Sequence, residues 1–208
     1  PDIYIPYRES EGYGLNFGAV EEIISRGIKL VITVDCGVGN AAEVQRLVDG
    51  GVDVIVTDHH EPPVQLPPAL AVINPKISGI GYPYAELSGT GVAFKLAQAV
   101  LSERTRAVHP EVAFPPLGWE KWLLDLVAIS VVTDMMSLLG ENRTLVRYGL
   151  LVLRKTRRVG LRELVRAANL QLEGVGTTEI GFMIGPRLNA AGRMDHASGA
   201  YQLLITAD

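Results

Sequence analysis

Four short apolar runs in the first part of the chain have the composition of β-strands. They are rich in Val and Ile, whose branched side chains favour an extended backbone, and they cover Asp2–Tyr7, Lys29–Val34, Val52–Thr57 and Leu70–Asn74. The second and third runs show no regular alternation of polar and apolar residues. This pattern is typical of strands that are covered on both faces in a parallel sheet.

Segments with apolar residues at helical spacing separate these runs and continue after them. Asn16 and Asn40 are the predicted N-caps of two such segments, and Ser88–Gly91 opens another that extends to about Glu103. Later helices are predicted at 119–132, at 143–154 and, as short pieces, from 160 onward. The fold class is therefore predicted as α/β, with a doubly wound, mainly parallel sheet flanked by helices and followed by a helical linking region.

The third apolar run ends abruptly at Asp58, His59 and His60. In open α/β sheets, ligands bind beyond the carboxyl ends of the strands, and Asp35 follows the second run in the same way. Asp134 directly follows a later apolar helix. Carboxylate and imidazole groups are ligands of divalent transition metals, and a bound cation would relieve the repulsion between the carboxylates. We therefore expect a metal site at this edge.

Each of these residues also has an ordinary structural interpretation. A single Asp after an apolar run is often a helix N-cap or a turn residue, and a lone histidine such as His109 is usually structural or solvated. Two aspartates at neighbouring strand ends, one of them beside a histidine pair, favour the metal site. Cys36 has no neighbouring base in the sequence, so a small buried cysteine is the simpler interpretation of it.

Two later segments are candidates for contact with phosphate. Gly185–Arg193 combines glycines with Arg187, Asn189 and Arg193, and arginine binds phosphate through two parallel hydrogen bonds. The alternative is a surface loop whose arginines form salt bridges. The basic stretch from Arg154 to Arg166 either flanks a nucleic-acid path or forms a solvated helix face.

Composition narrows the class of protein. The chain has 208 residues, of which 48% are hydrophobic and 20% are charged, as is usual for a folded globular protein. A net charge of -4 argues against a general nucleic-acid coat but allows a local basic groove. The single Cys36 cannot form an internal disulfide, so we expect a cytoplasmic protein. No apolar run approaches the roughly 20 residues that span a bilayer, so no membrane contact is expected.

Thr57-Asp58-His59-His60 is similar to the signature of the DHH phosphoesterase superfamily, and the chain resembles the branch of single-strand-specific 5′→3′ DNA exonucleases. Other segments carry the resemblance in the same order. They are Ile5-Pro6 to Arg8, Glu11-Gly12-Tyr13-Gly14-Leu15, Val34-Asp35-Cys36-Gly37, Gly89 to Lys95, Thr133-Asp134, Gly140-Glu141-Asn142-Arg143 and Gly185 to Arg193. The resemblance covers nearly the whole chain, except a predicted surface insertion at 104–118.

The resemblance implies roles for individual residues. Asp35, His59 and Asp134 are the implied metal ligands, with Asp35 bridging two cations, either Mn²⁺ or Mg²⁺. Asp58 is implied to orient the site and His60 to lie against the scissile phosphate. Arg8 is implied to help hold a 5′-phosphate, and Arg193 to contact the nucleic-acid backbone.

The resemblance also implies parts that these 208 residues do not contain. An Asp-rich DxDxDG motif would precede Pro1 and complete a two-metal site, and a DHHA1-type domain and an OB-fold are likewise missing. Because the chain starts within a predicted strand and without Met, we expect a fragment that is inactive or weakly active alone. The predicted division is a DHH domain at 1–155 and a helical connector at 156–208.

The implied function is metal-dependent hydrolysis of single-stranded DNA in repair and recombination, with single-strand-binding protein and a helicase as expected partners. One alternative is a DHH phosphodiesterase for short oligonucleotides or cyclic dinucleotides, or a pyrophosphatase. A second is a catalytically silent replication scaffold. The complete set of Asp35, Asp58, His59, His60 and Asp134 argues against the scaffold, because an inactive protein has no chemical need for it.

Overall fold

A computed structural model of the chain describes residues 2–103, 113–194 and 196–207. Within these residues a three-stranded parallel sheet has the order β1, β2, β3, formed by Leu30–Val34, Asp53–Thr57 and Ala71–Ile73. The helices are α1 Phe17–Ser25, α2 Ala41–Asp49, α3 Gly89–Glu103, α4 Leu124–Thr133, α5 Gly140–Leu153, α6 Val159–Ala167, α7 Thr177–Glu179, α8 Gly185–Met194 and α9 Ser198–Ile205. Tighter 3₁₀ turns occupy Trp119–Leu123 and Leu172–Gly174, and a wider π turn at Ile180–Ile184 joins α7 to α8. The predicted α/β class with a parallel sheet flanked by helices is confirmed, and among the described residues the sheet is small, with three strands.

The central strand β2 is the most completely covered part of the sheet. Val54 and Val56 are fully buried and pack with Val20 of α1 and with Val44 and Leu47 of α2. The outer strand β1 differs from the expectation, because its alternate residues 30, 32 and 34 remain 47–52% exposed. The prediction that both faces are covered therefore holds for β2 and not for β1.

The predicted strand at Asp2–Tyr7 is not formed. The Tyr7 N–H donates to the Glu11 side chain at 2.7 Å, and the Glu11 N–H donates back to the Tyr7 carbonyl at 2.8 Å. These bonds close a turn, and Pro6 has no N–H to offer a neighbouring strand. The first apolar run is therefore an extended segment that leads into a turn.

The two predicted N-caps behave differently. Asn16 caps α1 as expected, because its Oδ1 accepts the Ala19 N–H at 2.9 Å. The side chain of Asn40 does not cap α2 and instead donates to the Leu15 carbonyl at 3.1 Å. Asn40 thus joins the start of α2 to the segment before α1, which is a tertiary role that the sequence pattern did not reveal.

The second half of the chain is helical and is organised around α4 and α5. Gly149 of α5 lies so close to α4 that an added Cβ would be 2.4 Å from the Leu124 carbonyl oxygen and 2.5 Å from the Ala128 Cβ. The buried Asp125 accepts from Thr156 Oγ1 at 2.7 Å and from Arg158 Nε at 3.2 Å. No described helix is both long enough and apolar enough to cross a membrane.

Two segments were predicted to be loops, Gly185–Arg193 and the insertion at 104–118. Gly185–Arg193 was expected to be a loop, but it forms most of helix α8, because the helical turns from Thr177 onward continue through Pro186. The π turn at Ile180–Ile184 lies just before this proline, and the regular i→i−4 hydrogen-bond pattern, to which proline cannot contribute an N–H, is already interrupted there. Of the predicted insertion at 104–118, residues 104–112, which include His109, lie outside the described part of the chain.

The close approach of α4 and α5 gives a stability prediction. Gly149→Ala should lower the free energy of unfolding by about 1–3 kcal/mol, because the added methyl has no room. Gly199→Ala on α9 is the matched control, since nothing lies within 4 Å of its Cβ position. It should be neutral or raise stability by up to about 1 kcal/mol. Chemical denaturation of both variants checks this, and equal effects would contradict the packing described.

Candidate metal centre

Three polar residues form a row along the carboxyl edge of the sheet. Asp35 follows β1, Asp58 follows β2 and Asn74 follows β3, and the register pairs Val34 with Thr57 immediately before the two aspartates. Asp35 adopts a left-handed backbone with φ of 63°, a conformation that Asp tolerates better than most residues. Asn74 is fully buried and donates its Nδ2 to the His60 carbonyl at 2.8 Å. The ends of the three strands therefore position the polar residues of the site.

Asp58 is the anchor of the two histidines. It is 1% exposed, and its carboxylate accepts the N–H groups of Val38 at 3.0 Å, His59 at 2.8 Å and His60 at 3.2 Å, together with His60 Nδ1 at 2.7 Å. Burial alone would raise the pKa of Asp58, but the hydrogen bonds from Val38, His60 and His59 outweigh it and lower that pKa below its ordinary value. Asp58 is therefore ionised, and it holds the backbone of both histidines and the imidazole of His60.

His59 is held in a single tautomer. Its Nδ1 lies 2.9 Å from the Leu87 carbonyl oxygen, which can only accept a hydrogen bond, so Nδ1 carries a proton and donates. In the neutral ring, Nε2 then has an exposed lone pair. That lone pair is directed toward two carboxylates, with Asp35 Oδ1 at 3.1 Å and Asp134 Oδ2 at 3.5 Å.

The His59 ring nitrogen therefore faces one carboxylate oxygen from each of Asp35 and Asp134. The Asp35 carboxylate raises the pKa of His59 above its ordinary value, and burial raises the pKa of Asp134. Asp35 Oδ1 is buried, and while His59 Nε2 is unprotonated this oxygen has no hydrogen-bond donor among the residues that the structure describes. Such an arrangement is stable only when a proton or a cation lies between the groups. Carboxylate oxygens and an imidazole nitrogen fit a divalent transition metal.

His60 lies beside this point and on the solvent side of Asp58. One ring nitrogen or carboxylate oxygen from each of Asp35, His59 and His60 falls within 4.8 Å of the others. The two imidazole rings meet edge to face, with 4.7 Å between their centroids. Because Nδ1 of His60 is bonded to Asp58, its second ring nitrogen is available to a ligand.

Two residues of the site, Tyr13 and Gly89, were named from the sequence only within segments that carry the resemblance, and neither was given a role in the metal centre. The hydroxyl of Tyr13 donates to the Asp35 carbonyl, and its ring meets the His60 ring at 71° with 5.7 Å between centroids. Gly89, at the start of α3, lies against Asp35 so closely that a Cβ would be 2.1 Å from Asp35 Oδ1. The flanking glycines of Tyr13 were a signal of a functional turn, whereas nothing in the sequence linked Gly89 to Asp35.

The predicted phosphate-binding residues lie elsewhere and are exposed. Arg187, Asn189 and Arg193 are on α8, where Asn189 and Arg193 share a face at a spacing of four residues. The Arg187 Nη1 donates to the Met183 carbonyl at 2.8 Å. Arg8 is exposed in the turn before Glu11. The structure does not bring these four side chains into contact with the metal centre.

Most of the basic stretch at 154–166 is occupied by contacts within the protein. Arg158 pairs with the buried Asp125, and Arg157 lies over the Trp122 ring at 4.5 Å. Arg154 donates to the Val175 carbonyl at 2.9 Å, and Arg166 pairs with Glu163. These contacts favour a structural role for the stretch over a nucleic-acid path.

Comparison with known sequences identifies the class. The profile of the DHH family, N-terminal domain, matches residues 2–131, a segment that contains the sheet edge, the Asp58-His59-His60 corner and most of α4. The chain therefore belongs to the DHH family.

The curated relatives include the single-stranded-DNA-specific exonuclease RecJ of several bacteria. The protein from Bacillus subtilis is 42% identical over 207 residues, which cover 100% of this chain and 24% of that protein. The protein from Haemophilus influenzae is 41% identical over 206 residues, covering 98% of this chain and 35% of that protein. The chain thus spans between a quarter and about a third of the length of these relatives.

Solved structures give the same relationship. A crystal structure of exonuclease RecJ bound to manganese matches with a TM-score of 0.81 and 38% identity, covering 99% of this chain and 49% of that one. RecJ from Thermus thermophilus in complex with Mn²⁺ matches with a TM-score of 0.78 and 36% identity, over 93% of this chain and 27% of that one. A complex of the Thermus thermophilus protein with Mg²⁺ has a TM-score of 0.57 and 26% identity, over 92% of this chain and 30% of that one.

The contact between Gly89 and Asp35 predicts a glycine requirement. Gly89→Ala should weaken Mn²⁺ binding by at least about tenfold, because the new methyl displaces a carboxylate of the centre and a tenfold loss needs only about 1.4 kcal/mol. Gly91→Ala on the same helix is the control, since its nearest neighbour would be an ordinary 3.4 Å away. Isothermal titration with MnCl₂ measures both, and unchanged affinity in the Gly89 variant would contradict the proposed ligand.

The raised pKa of His59 predicts a pH dependence. Without metal, the protonated imidazole is stabilised by Asp35 in the folded state, so this contribution to stability is present at low pH and is lost as pH rises through the folded-state pKa. NMR titration of the His59 ring should give a midpoint above the ordinary value of about 6.5. Asp35→Asn should lower that midpoint. A midpoint at or below the ordinary value in the unaltered protein would contradict the geometry.

Proposed function

We propose that the protein containing this chain is a metal-dependent 5′→3′ exonuclease of single-stranded DNA, which hydrolyses phosphodiester bonds. The observation that carries the proposal is the lone pair of His59 Nε2, which faces the carboxylates of Asp35 and Asp134 within 3.1–3.5 Å. The identity to RecJ exonucleases over the full length of the chain supports the choice of substrate.

Asp35, His59 and Asp134 are the residues that would hold the divalent cation. The buried Asp35 oxygen, which has no hydrogen-bond donor among the described residues while His59 Nε2 is unprotonated, and the fixed tautomer of His59 both fit such a ligand set. Mn²⁺ and Mg²⁺ are the proposed metals, because RecJ structures have been solved with each of them, and the imidazole ligand favours Mn²⁺. When bound, two such cations would neutralise charge on the phosphate and lower the pKa of a nearby water molecule.

His60 and Asp58 would act on the phosphate itself. Asp58 accepts a hydrogen bond from Nδ1 of His60 and so fixes the ring with its second nitrogen exposed. When that nitrogen is protonated, it can donate a hydrogen bond to a phosphate oxygen and stabilise negative charge in the transition state. Tyr13 restricts the ring from the other side and also holds the backbone of Asp35.

The exposed cationic residues would position the DNA strand. Arg8 is proposed to bind the 5′-phosphate, and Arg187, Asn189 and Arg193 of α8 are proposed to contact the strand. Their exposure and the absence of a carboxylate partner for Arg8, Arg187 and Arg193 among the described residues support this assignment, because guanidinium groups bind phosphate through paired hydrogen bonds.

The wider biological role is also a proposal. DNA repair and recombination, cooperation with single-strand-binding protein and a helicase, and action in the cytoplasm are expected from the resemblance to single-strand-specific exonucleases. The unpaired Cys36 supports a reducing compartment. The division into a DHH domain at 1–155 and a connector at 156–208 also remains a prediction.

The proposal predicts that Asp35→Ala in the full-length protein abolishes Mn²⁺-dependent release of nucleotides from single-stranded DNA. A loss of at least about 10³-fold is expected, which corresponds to about 4 kcal/mol of transition-state stabilisation. Asp49→Ala is the control, because Asp49 lies exposed at the end of α2 and contacts Gln45 on the same helix. Circular dichroism of both variants confirms folding.

The same assay separates the alternative functions. Retained activity in the Asp35 variant would contradict the proposed centre. Faster hydrolysis of dinucleotides or cyclic dinucleotides than of long single-stranded DNA would instead support a small-substrate phosphodiesterase. An unaltered full-length protein without any hydrolase activity would support the scaffold.

A further inference from the structure

The beginning of the chain is attached to its far end by one histidine. His196, which precedes α9, lies with its Nε2 2.8 Å from the Ile5 carbonyl oxygen. Its ring also packs on the Tyr7 ring, with 4.2 Å between centroids and 37° between planes. Residues separated by about 190 positions in the sequence therefore meet through both a hydrogen bond and a ring contact.

The imidazole of His196 is fully engaged in this contact. Its Nδ1 accepts the Ser198 N–H at 3.3 Å, so the neutral ring carries its proton on Nε2, and Nε2 donates to Ile5. Both nitrogens are therefore used, and the ring face is covered by Tyr7. This arrangement fixes the imidazole relative to the backbone of residues 5–7.

The segment that His196 holds is a braced turn, in which Arg8 is the first residue after Tyr7. The Glu11 carboxylate accepts a hydrogen bond from the Tyr7 N–H at 2.7 Å. It also accepts hydrogen bonds from the Tyr4 hydroxyl and from Asn16 Nδ2, the latter at 3.4 Å. The hydrogen bonds from Tyr4 and then from Tyr7 lower the pKa of Glu11. The turn is thus attached to α1 through Glu11 and to the α8–α9 region through His196.

We infer that His196 is a positioning residue. It holds the backbone beside Arg8 at a fixed place relative to the end of α8, so that the guanidinium groups of Arg8 and Arg193 act on one DNA strand. Arg193 lies in the last turn of α8, three residues before His196, and Arg8 directly follows Tyr7, whose ring His196 contacts. The inference rests on the proposed nuclease function. His196 contacts Ile5, Tyr7 and Ser198 and would act through the backbone of the turn.

The experiment uses the full-length protein and one oligonucleotide with either a 5′-phosphate or a 5′-hydroxyl end. His196→Ala should lower kcat/KM on the phosphorylated strand by about tenfold, mainly through KM, because a small displacement of a binding group is costly. The hydroxyl-ended strand should change less than about twofold. His196→Gln, which keeps a donor for Ile5, should restore part of the preference.

A double variant separates positioning from general loss of structure. Since His196 acts through Arg8, His196→Ala combined with Arg8→Ala should reduce the preference no further than Arg8→Ala alone. Arg26→Ala is the matched control, because it removes another attachment of the same segment, the ion pair with Asp2, and should leave the preference intact.

Three results would overturn the inference: equal losses on both strands, additive losses in the double variant, or no preference for the 5′-phosphate in the unaltered protein. Fluorescence anisotropy with the same two strands in an Asp35→Ala background measures binding without turnover. If the unaltered protein binds the phosphorylated strand more tightly and His196→Ala removes this difference, the inference is supported even when no hydrolysis is detected. Failure of the nuclease proposal is thereby distinguished from failure of the inference. Binding that His196→Ala leaves unchanged overturns it.

Discussion

The tautomer of His59 is the constraint on which the candidate site depends. Because His59 Nδ1 donates a hydrogen bond to the Leu87 carbonyl, the Nε2 lone pair must face the carboxylates of Asp35 and Asp134. Electron pairs in that arrangement repel one another, so the folded chain keeps the arrangement only by placing a positive charge among them. In the protein without metal a proton on His59 can supply that charge, because Asp35 raises the pKa of His59 above its ordinary value. A divalent cation would replace the proton and satisfy all three groups.

The fold supplies this arrangement through a few rigid contacts. Parallel strands place Asp35 and Asp58 side by side at one edge, and Asp58 then fixes both histidines through backbone and side-chain hydrogen bonds. Helix α4 brings Asp134 to the same edge from the other half of the chain. Gly89 allows α3 to approach Asp35 without a side chain between them. Burial of Asp58 is tolerated because every bond it receives stabilises its negative charge.

Much of this could be predicted from the sequence because the signals were local. An apolar run that stops at a polar residue marks a strand end, and Asp35 and Asp58 were found in this way. Asn74 carries the same signal after β3 and could have been found by the same argument. The prediction of a strand in the first apolar run was wrong, because the Glu11 side chain accepts the N–H of Tyr7 and closes a turn there. The Gly185–Arg193 segment was expected to be a loop, yet helical turns from Thr177 continue through it.

The remaining features depend on contacts between distant residues, which a single sequence does not encode locally. The Leu87 carbonyl that sets the His59 tautomer belongs to no recognisable pattern, and the glycines that flank Tyr13 indicated a turn but not the contact of its hydroxyl with Asp35. The basic stretch at 154–166 also depends on contacts that the sequence does not show. Its charges were compatible with a nucleic-acid surface, but Arg158 pairs with the carboxylate of Asp125, about 30 positions earlier, and Arg157 lies over the ring of Trp122.

The central claim is that His59 Nε2 and the carboxylates of Asp35 and Asp134 hold one divalent cation. The most direct measurement is an anomalous difference map at the manganese absorption edge, from crystals of the full-length protein grown with MnCl₂. The account predicts a peak bonded to His59 Nε2 and Asp35, with Asp134 on the same ion. A map without a peak at this point, or a manganese ion bound elsewhere while His59 still contacts Asp35 directly, would contradict it.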